Sequence, residues 1–324
     1  MSNSFKLVDS LVFPVGMYSS EILTPLAMPK SSFSSRDALL KYWEDYKLEL
    51  THQRICRLVL SVQKKTSRLA VLGELGRYPV FLKSLQSSLM YEFNIRKHQT
   101  CTLLGLAVSE MEGGGQDCWL SRVRSMQSLL NIPVYPIHLT ESFVSAKIKC
   151  QLQGIFDTYY LQEINKEKQD NNMVNRNKLR FYCTFKGSFK PEPYINQIDN
   201  RNQRKWISRM RTSAHRLEVE TGRYNNIPYD QRQCEFCPPD QNNNIGTETH
   251  FLLDCTTFSD ERRCLFSRMS LIMPNFQSMS KENKVSTLLC PATPRAAKLV
   301  NKYIGLLFKL RDQIVKEQAV PPPT

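Results

Sequence analysis

The segment CEFCPPDQNNNIGTETHFLLDC, residues 234 to 255, gathers Cys234, Cys237, His250 and Cys255 into one short stretch. Two cysteines separated by two residues reach a single ion from a tight turn. A later His-x4-Cys pair then closes a tetrahedron of soft and borderline donors, a set that suits Zn²⁺. Pro238 and the polar run DQNNN make the stretch between the two pairs a loop. The segment has little apolar content of its own, so an ion rather than a core is expected to hold it together. Three thiolates and an imidazole leave no open coordination position. The expectation is therefore one structural Zn²⁺, not a catalytic one.

That reading needs reduced cysteines. The chain of 324 residues has 10 cysteines. Asp9 and Pro14 interrupt the apolar run at the N-terminus, so no secretory leader is read there. No stretch reaches the ~18 apolar residues that span a bilayer. An intracellular protein, nuclear or cytoplasmic, is expected, with no membrane partner and its clustered cysteines acting as ligands. Cys56, Cys101, Cys118, Cys150, Cys183, Cys264 and Cys290 lie far apart, and core packing is expected for most of them.

The formal net charge is +14 and the pI about 9.3, which favours polyanionic partners. Between Arg176 and Arg232 there are 13 Lys and Arg against 5 Asp and Glu. More than half of the excess charge thus lies beside the Cys/His segment. Plotted at about 100° per residue, Arg201, Arg204, Lys205, Arg209, Arg211, His215 and Arg216 fall on one side of a helix. Trp206, Ile207, Met210, Ala214 and Leu217 fall on the other. A solvated face usually mixes signs, and this one carries no acid before Glu218. One reading is a phosphate-binding surface with bidentate arginines; the other is a helix that is merely basic. Tyr182, Phe185, Tyr194 and Tyr224 lie nearby, able to stack on bases but better suited to a core.

The whole chain reads as mostly α. Residues 1–33 suggest a short apolar hairpin followed by a Ser/Pro loop. Ser34 and Asp37 form a capping signal ahead of a long amphipathic helix through Leu39, Leu40, Trp43, Tyr46, Leu50, Ile55 and Val59. Gly76 to Pro79 should separate two helices, and EGGGQDC at 112–118 reads as a hinge. Helices are expected at CWLSRVRSMQSLL, at 141–164, from Ser259 and at the C-terminal end. The expected partition is 1–112 and 113–164 as helical parts, 165–178 as a linker, 179–290 as the basic helix with the zinc module, and 291–324 as a helix with a frayed tail.

Taken in order, KLVDSLVFPVGMYSSEI, HQRICRLVLSVQKKTSRLAVLGELGRYPV, CWLSRV, KLRFYCTFKGSFKPEPYI, RKWISRMRTSAHRLEVETGRY and the Cys/His run resemble a known family. It is the C-terminal third of non-LTR, LINE-type retrotransposon reverse transcriptases, and the resemblance covers nearly the whole chain. SAHRLEVETGRY and CEFC…ETHFLLDC are its specific blocks. The resemblance implies the end of a thumb, a helical linker and a Cys/Cys/His/Cys zinc region that grips RNA and target DNA. Cys234, Cys237, His250 and Cys255 match the zinc ligands. Arg209, Arg211, His215, Arg216, Glu220, Gly222 and Arg223 match the block before them. Ser19 stands where the family often has Gly. His52 and Glu74 lie in matching blocks and read as helix-packing or turn residues.

Polymerases hold two Mg²⁺ ions on clustered aspartates. This sequence has no Asp-Asp pair and no Tyr/Phe-x-Asp-Asp motif, so the expectation is a chain that is not itself an enzyme and takes no small-molecule substrate. RNA and/or DNA, and a polymerase domain, are the expected partners. The alternatives are a protein-interaction scaffold with a structural zinc module, or a non-functional transposon remnant.

Overall fold

The computed structural model describes residues 3–28, 33–42, 44, 46–98, 102–113, 117–169, 178–198, 200–238 and 244–318. The fold is mostly α: among the described residues there is no strand, only one antiparallel bridge between Gln233 and Ile245. The chain forms two compact units. One comprises Asn3–Arg54 and Tyr78–Leu161; the other comprises Ile55–Arg77 and Gln162–Thr324. This differs from the sequential partition expected above, because residues 55–77 group with the C-terminal half. Hydrogen bonds carry that grouping: Tyr182 donates to Ala70 O (3.3 Å), Lys178 to Lys65 O (2.8 Å), and Glu192 N to Glu74 O (2.9 Å).

In the first unit, Val144, Ile148, Leu152, Phe156 and Tyr160 recur every fourth residue along the helix Glu141–Gln169, and all are buried. Phe81, Leu85, Leu89 and Phe93 repeat the rhythm on Val80–Lys97. That spacing keeps one stripe facing the core. Ser84 and Ser88 on the same helix let Ser20–Leu26 approach closely, and Ser88 Oγ donates to Ser20 O (3.5 Å). Buried Glu49 accepts from Val80 N (2.8 Å), so a carboxylate caps the start of that helix, where the dipole favours it. Arg122 donates to the carbonyls of Leu26 (2.8 Å) and Met28 (2.9 Å), satisfying acceptors left free at a helix end.

The expected N-terminal hairpin is not formed. Residues Asn3–Leu26 are helical, in short pieces that bury Phe5 and Phe13. The break between pieces falls at Ser19, which adopts φ 56°. That left-handed conformation is the one glycine takes without strain, so the turn keeps its shape with Ser in place. The long helix expected from Ser34 is two helices, Arg36–Tyr42 and Lys47–Leu60. The cap is Ser35, whose Oγ accepts from Ala38 N (3.2 Å). Trp43 lies outside the described residues, as do Cys101, the glycines 114–115 of the expected hinge and most of the expected linker; the helix before that linker runs on to Gln169.

In the second unit the helix Pro294–Gln318 is the spine. Ala297, Val300, Ile304, Leu307 and Phe308 are buried along it, against Lys205–Arg211 and Ser259–Ile272. Gly305 makes the first of these contacts feasible, because a Cβ there would lie 2.6 Å from Trp206 Nε1. Trp206 stacks on Phe308 with ring centroids 5.0 Å apart. Asn301 Oδ1 accepts from Trp206 N (2.8 Å), serving the open N–H groups at the start of Lys205–Arg211. Gly76 ends the helix Arg68–Leu75 at φ 57°, and a Cβ there would lie 2.4 Å from Pro191 N. The expected break at Gly76 to Pro79 is therefore a left-handed helix stop that also lets residues 190–191 pass close by.

The predicted continuous basic helix over 201–217 is not formed. Arg201–Gln203 is a 3₁₀ turn, the α-helix is only Lys205–Arg211, and a new helix starts at Glu218. Thr212 bonds its hydroxyl to Ser208 O (2.7 Å) and Ser213 turns to φ 50°, ending the helix before Ala214. Core packing of the isolated cysteines is also only partly right. Cys56 and Cys183 are buried, whereas Cys150 and Cys264 are exposed. No helix among the described residues is long and apolar enough to cross a membrane.

Candidate metal centre and basic surface

The bridge between Gln233 and Ile245 seats the first cysteine pair. Cys234 N donates to Asn244 O (2.7 Å) and Gly246 N to Arg232 O (2.8 Å), which lays the start of the pair beside the end of its own loop. Thr247 Oγ1 then accepts from His250 N (3.1 Å). From His250 to Asp254 the chain winds as a π-helix, and Cys255 N donates to His250 O (2.8 Å). The winding matters for the donors. On an α-helix, residues five apart stand about 140° apart. The wider i→i+5 turn brings His250 and Cys255 onto one side. Phe251, Leu252 and Leu253 on this turn are buried, and Phe251 packs edge-on to Phe258 at 5.4 Å. The packing that the loop lacks is supplied here.

The result is a four-donor cluster. Cys237 Sγ lies 3.4 Å from His250 Nε2 and 3.7 Å from Cys255 Sγ, and Cys234 Sγ lies 3.9 Å from Cys255 Sγ. All four donor atoms lie within 4.8 Å of one another. A tetrahedral ion with bonds of ~2.3 Å to sulfur and ~2.0–2.1 Å to nitrogen separates its donors by about 3.8 Å and about 3.6 Å. The cluster fits that size. It does not fit a disulfide, whose sulfurs bond at ~2.05 Å. Cys234, His250 and Cys255 are buried and Cys237 is half-buried. The bond it shares with Cys255, and then burial, pushes the Cys234 thiol up to about 12. The same bond holds Cys255 below the usual thiol range. A dication placed among these sulfurs would displace the remaining protons, because coordination requires thiolates. Arg262 donates to Cys255 O (2.8 Å) and Thr257 to Phe236 O (3.1 Å), fixing the backbone that carries the donors.

The seven residues read as a basic face, and Arg223 of the block that follows them, part company. Arg204 and Arg211 are 2 % and 0 % exposed, and His215 is buried with them. Arg211 forks onto Glu74 (2.8–3.0 Å), reaches Glu192 Oε2 (2.8 Å) and Leu289 O (3.0 Å), and lies 4.4 Å from the Phe185 ring. Arg204 donates to Ile198 O (2.7 Å) and Val59 O (3.1 Å). His215 Nε2 lies 3.0 Å from Glu248 Oε1, which also takes Arg180 (2.7 Å). Burial alone would raise the Glu248 carboxyl, but Arg180 and His215 outweigh it and hold the group down at about 2. Arg223 pairs with Glu220 (3.1 Å). An unpaired buried charge is costly, so each of these arginines is spent on a carboxylate or on carbonyls inside the fold. The expected phosphate-binding roles of Arg204, Arg211 and His215 are corrected accordingly.

Arg201 and Arg216 are exposed, and Lys205 and Arg209 are half-buried. None of these four pairs with a carboxylate among the described residues. Instead they face one another. Burial, then Arg209 and Arg201, pull the Lys205 ammonium below its usual range. Burial, then Arg216, do the same to Arg209. Lys205 Nζ and the Arg209 guanidinium lie 4.9 Å and 5.1 Å from the Trp206 ring, and Arg209 also donates to Ser61 O (2.9 Å). Of the nearby aromatics, Tyr182 and Tyr194 are core, while Tyr224 is 50 % exposed.

Glu74, Glu192 and Glu248 are the carboxylate partners that the sequence reading missed, since Glu74 reads only as a packing or turn residue. The available signal was indirect: an arginine flanked by Met210 and Ile207 has to find a carboxylate somewhere.

No family model, curated protein or solved structure matches this chain. The resemblance to LINE-type reverse transcriptases therefore rests on the quoted sequence blocks alone.

Proposed function

We propose that the unit built from residues 55–77 and 162–324 is a nucleic-acid-binding module stabilised by one structural Zn²⁺ on Cys234, Cys237, His250 and Cys255. One observation carries this reading: Arg201, Lys205, Arg209 and Arg216 lie within electrostatic reach of one another, and none of the four forms an ion pair with a carboxylate among the described residues. Like charges held together cost free energy unless an anion is brought to them, and polyphosphate is the anion that supplies regularly spaced charge. The zinc module supports that face through shared neighbours, since Glu248, two residues before His250, is the residue that anchors His215. The resemblance to the C-terminal region of LINE-type reverse transcriptases agrees with this assignment. On that reading the chain binds RNA or DNA beside a polymerase domain, is not itself the polymerase, and works in a reducing compartment, nuclear or cytoplasmic.

Four cations neutralising phosphates give a log–log salt slope of about −3.6 on duplex DNA and about −2.8 on a single strand. Replacing Arg201 and Arg216 together with Ala lowers the duplex slope by about 1.8 and weakens all sequences alike. Both side chains are exposed, so the variant should melt where the parent does. Filter or anisotropy titrations across a salt series check this; an unchanged slope would remove the phosphate-binding role of this face.

A further inference from the structure

The second unit also carries a cleft of about 210 Å³ on the same side as the unpaired cations. Trp206 and Phe308, stacked at 5.0 Å, form one wall. Arg209, Arg216 and His215 line another part, and Asp312 closes it. Clefts that enclose a cofactor-sized ligand run to ~300–1,000 Å³, so this one is sized for a single ring. His215 is already committed to Glu248, and its Nδ1 accepts from Leu217 N (3.4 Å). Arg311, also in the lining, pairs with Glu218 and Glu235. The charged groups left for a ligand are therefore Arg209, Arg216 and Asp312.

Asp312 is the informative member. It is exposed and, among the described residues, has no hydrogen-bond or ion-pair partner. It nevertheless lines a cleft with three arginines, Arg209, Arg216 and Arg311. A carboxylate in a purely phosphate-binding groove is a misplaced charge. Beside an aromatic wall, however, it is the acceptor that an exocyclic amine needs, as when Asp or Glu accepts from cytosine N4. Arg209 and Arg216 would then hold the phosphate that follows the base.

Resting on the nucleic-acid reading above, we propose that this cleft takes one unpaired, amino-bearing base of a single strand. The base sits against the Trp206–Phe308 wall, its exocyclic amine donates to Asp312, and its phosphate lies on Arg209 and Arg216. In a duplex the base is stacked and its amine paired, so the cleft selects extruded or single-stranded nucleotides. Cytosine fits. Uracil presents a carbonyl at that position, which faces the carboxylate acceptor to acceptor.

The test is anisotropy titration of the intact, zinc-loaded chain with dye-labelled oligo(rC) and oligo(rU) of equal length, with and without Asp312→Asn. Expected is a preference for oligo(rC) on the order of tenfold. Asp312→Asn should erase it, because an amide both donates and accepts. Equal affinities in the parent, or a preference that survives in the variant, would overturn the cleft assignment while salt-dependent binding left the nucleic-acid reading standing. Absence of salt-dependent binding to either oligomer would overturn both.

Discussion

Cys237→Ser is expected to release the zinc and unfold the segment around it. The protein as isolated should carry one zinc per chain by native mass spectrometry, and the variant none. Structural zinc contributes apparent binding free energies of ~10–16 kcal/mol in small metal-organised peptides. No other contact within residues 234–258 approaches that. Hydrogen exchange should accordingly rise across this segment, including the His250–Asp254 turn, in the variant and in chelated parent alike. The helices Val80–Lys97 and Trp119–Leu129 belong to the other unit, and their exchange should not change. A parent chain that binds no zinc, or a variant that keeps full protection over 234–258, would refute the metal assignment.

Arg211→Ala is expected to cost ~3–5 kcal/mol of stability, the usual consequence of removing one partner from a buried ion pair. The loss would strand Glu74, which is fully buried and otherwise accepts from Tyr194 (2.5 Å), together with one oxygen of Glu192. Urea unfolding of the second unit measures it. Adding Glu74→Gln should recover part of the loss, because the stranded charge is then gone. Arg211 lies in the block that the sequence marks as a phosphate-gripping face, and the two roles are separable. Under conditions where the variant remains folded, the salt slope of nucleic-acid binding should equal that of the parent. A reduced slope with unchanged stability would restore Arg211 to the binding surface.

Much of this was legible in the residues because it depends on local rules. The four-donor cluster was read from spacing, since a metal site needs particular donors at short range. The helices Trp119–Leu129, Glu141–Gln169, Ser259–Ile272 and Pro294–Gln318 followed from apolar periodicity. What failed depended on partners remote in sequence. Arg204 and Arg211 plot onto a polar face of an ideal helix, but the helix stops at Arg211. Their burial is decided by Glu74 and by the carbonyl of Val59, each more than a hundred residues away. A helical projection knows only one helix and cannot register a carboxylate that arrives from another segment. The N-terminal residues misled for a related reason. Short apolar stretches carry too few periods to separate strand from helix, and Ser19 gives no warning that it will take up a left-handed turn.

The π-wound turn bears on how this module can change length. The loop joining Cys237 to His250 closes at a cost that grows only by ~0.6 kcal/mol for each doubling, so residues can be gained or lost there with the ion still bound. The four residues between His250 and Cys255 have less latitude. Deleting one leaves histidine and cysteine four apart, which ordinary helical winding still sets on one side, about 40° apart, whereas adding one turns the last sulfur about 120° away from the metal. Length variation among chains built on this plan should therefore collect before the histidine, and after it be confined to the loss of a single residue.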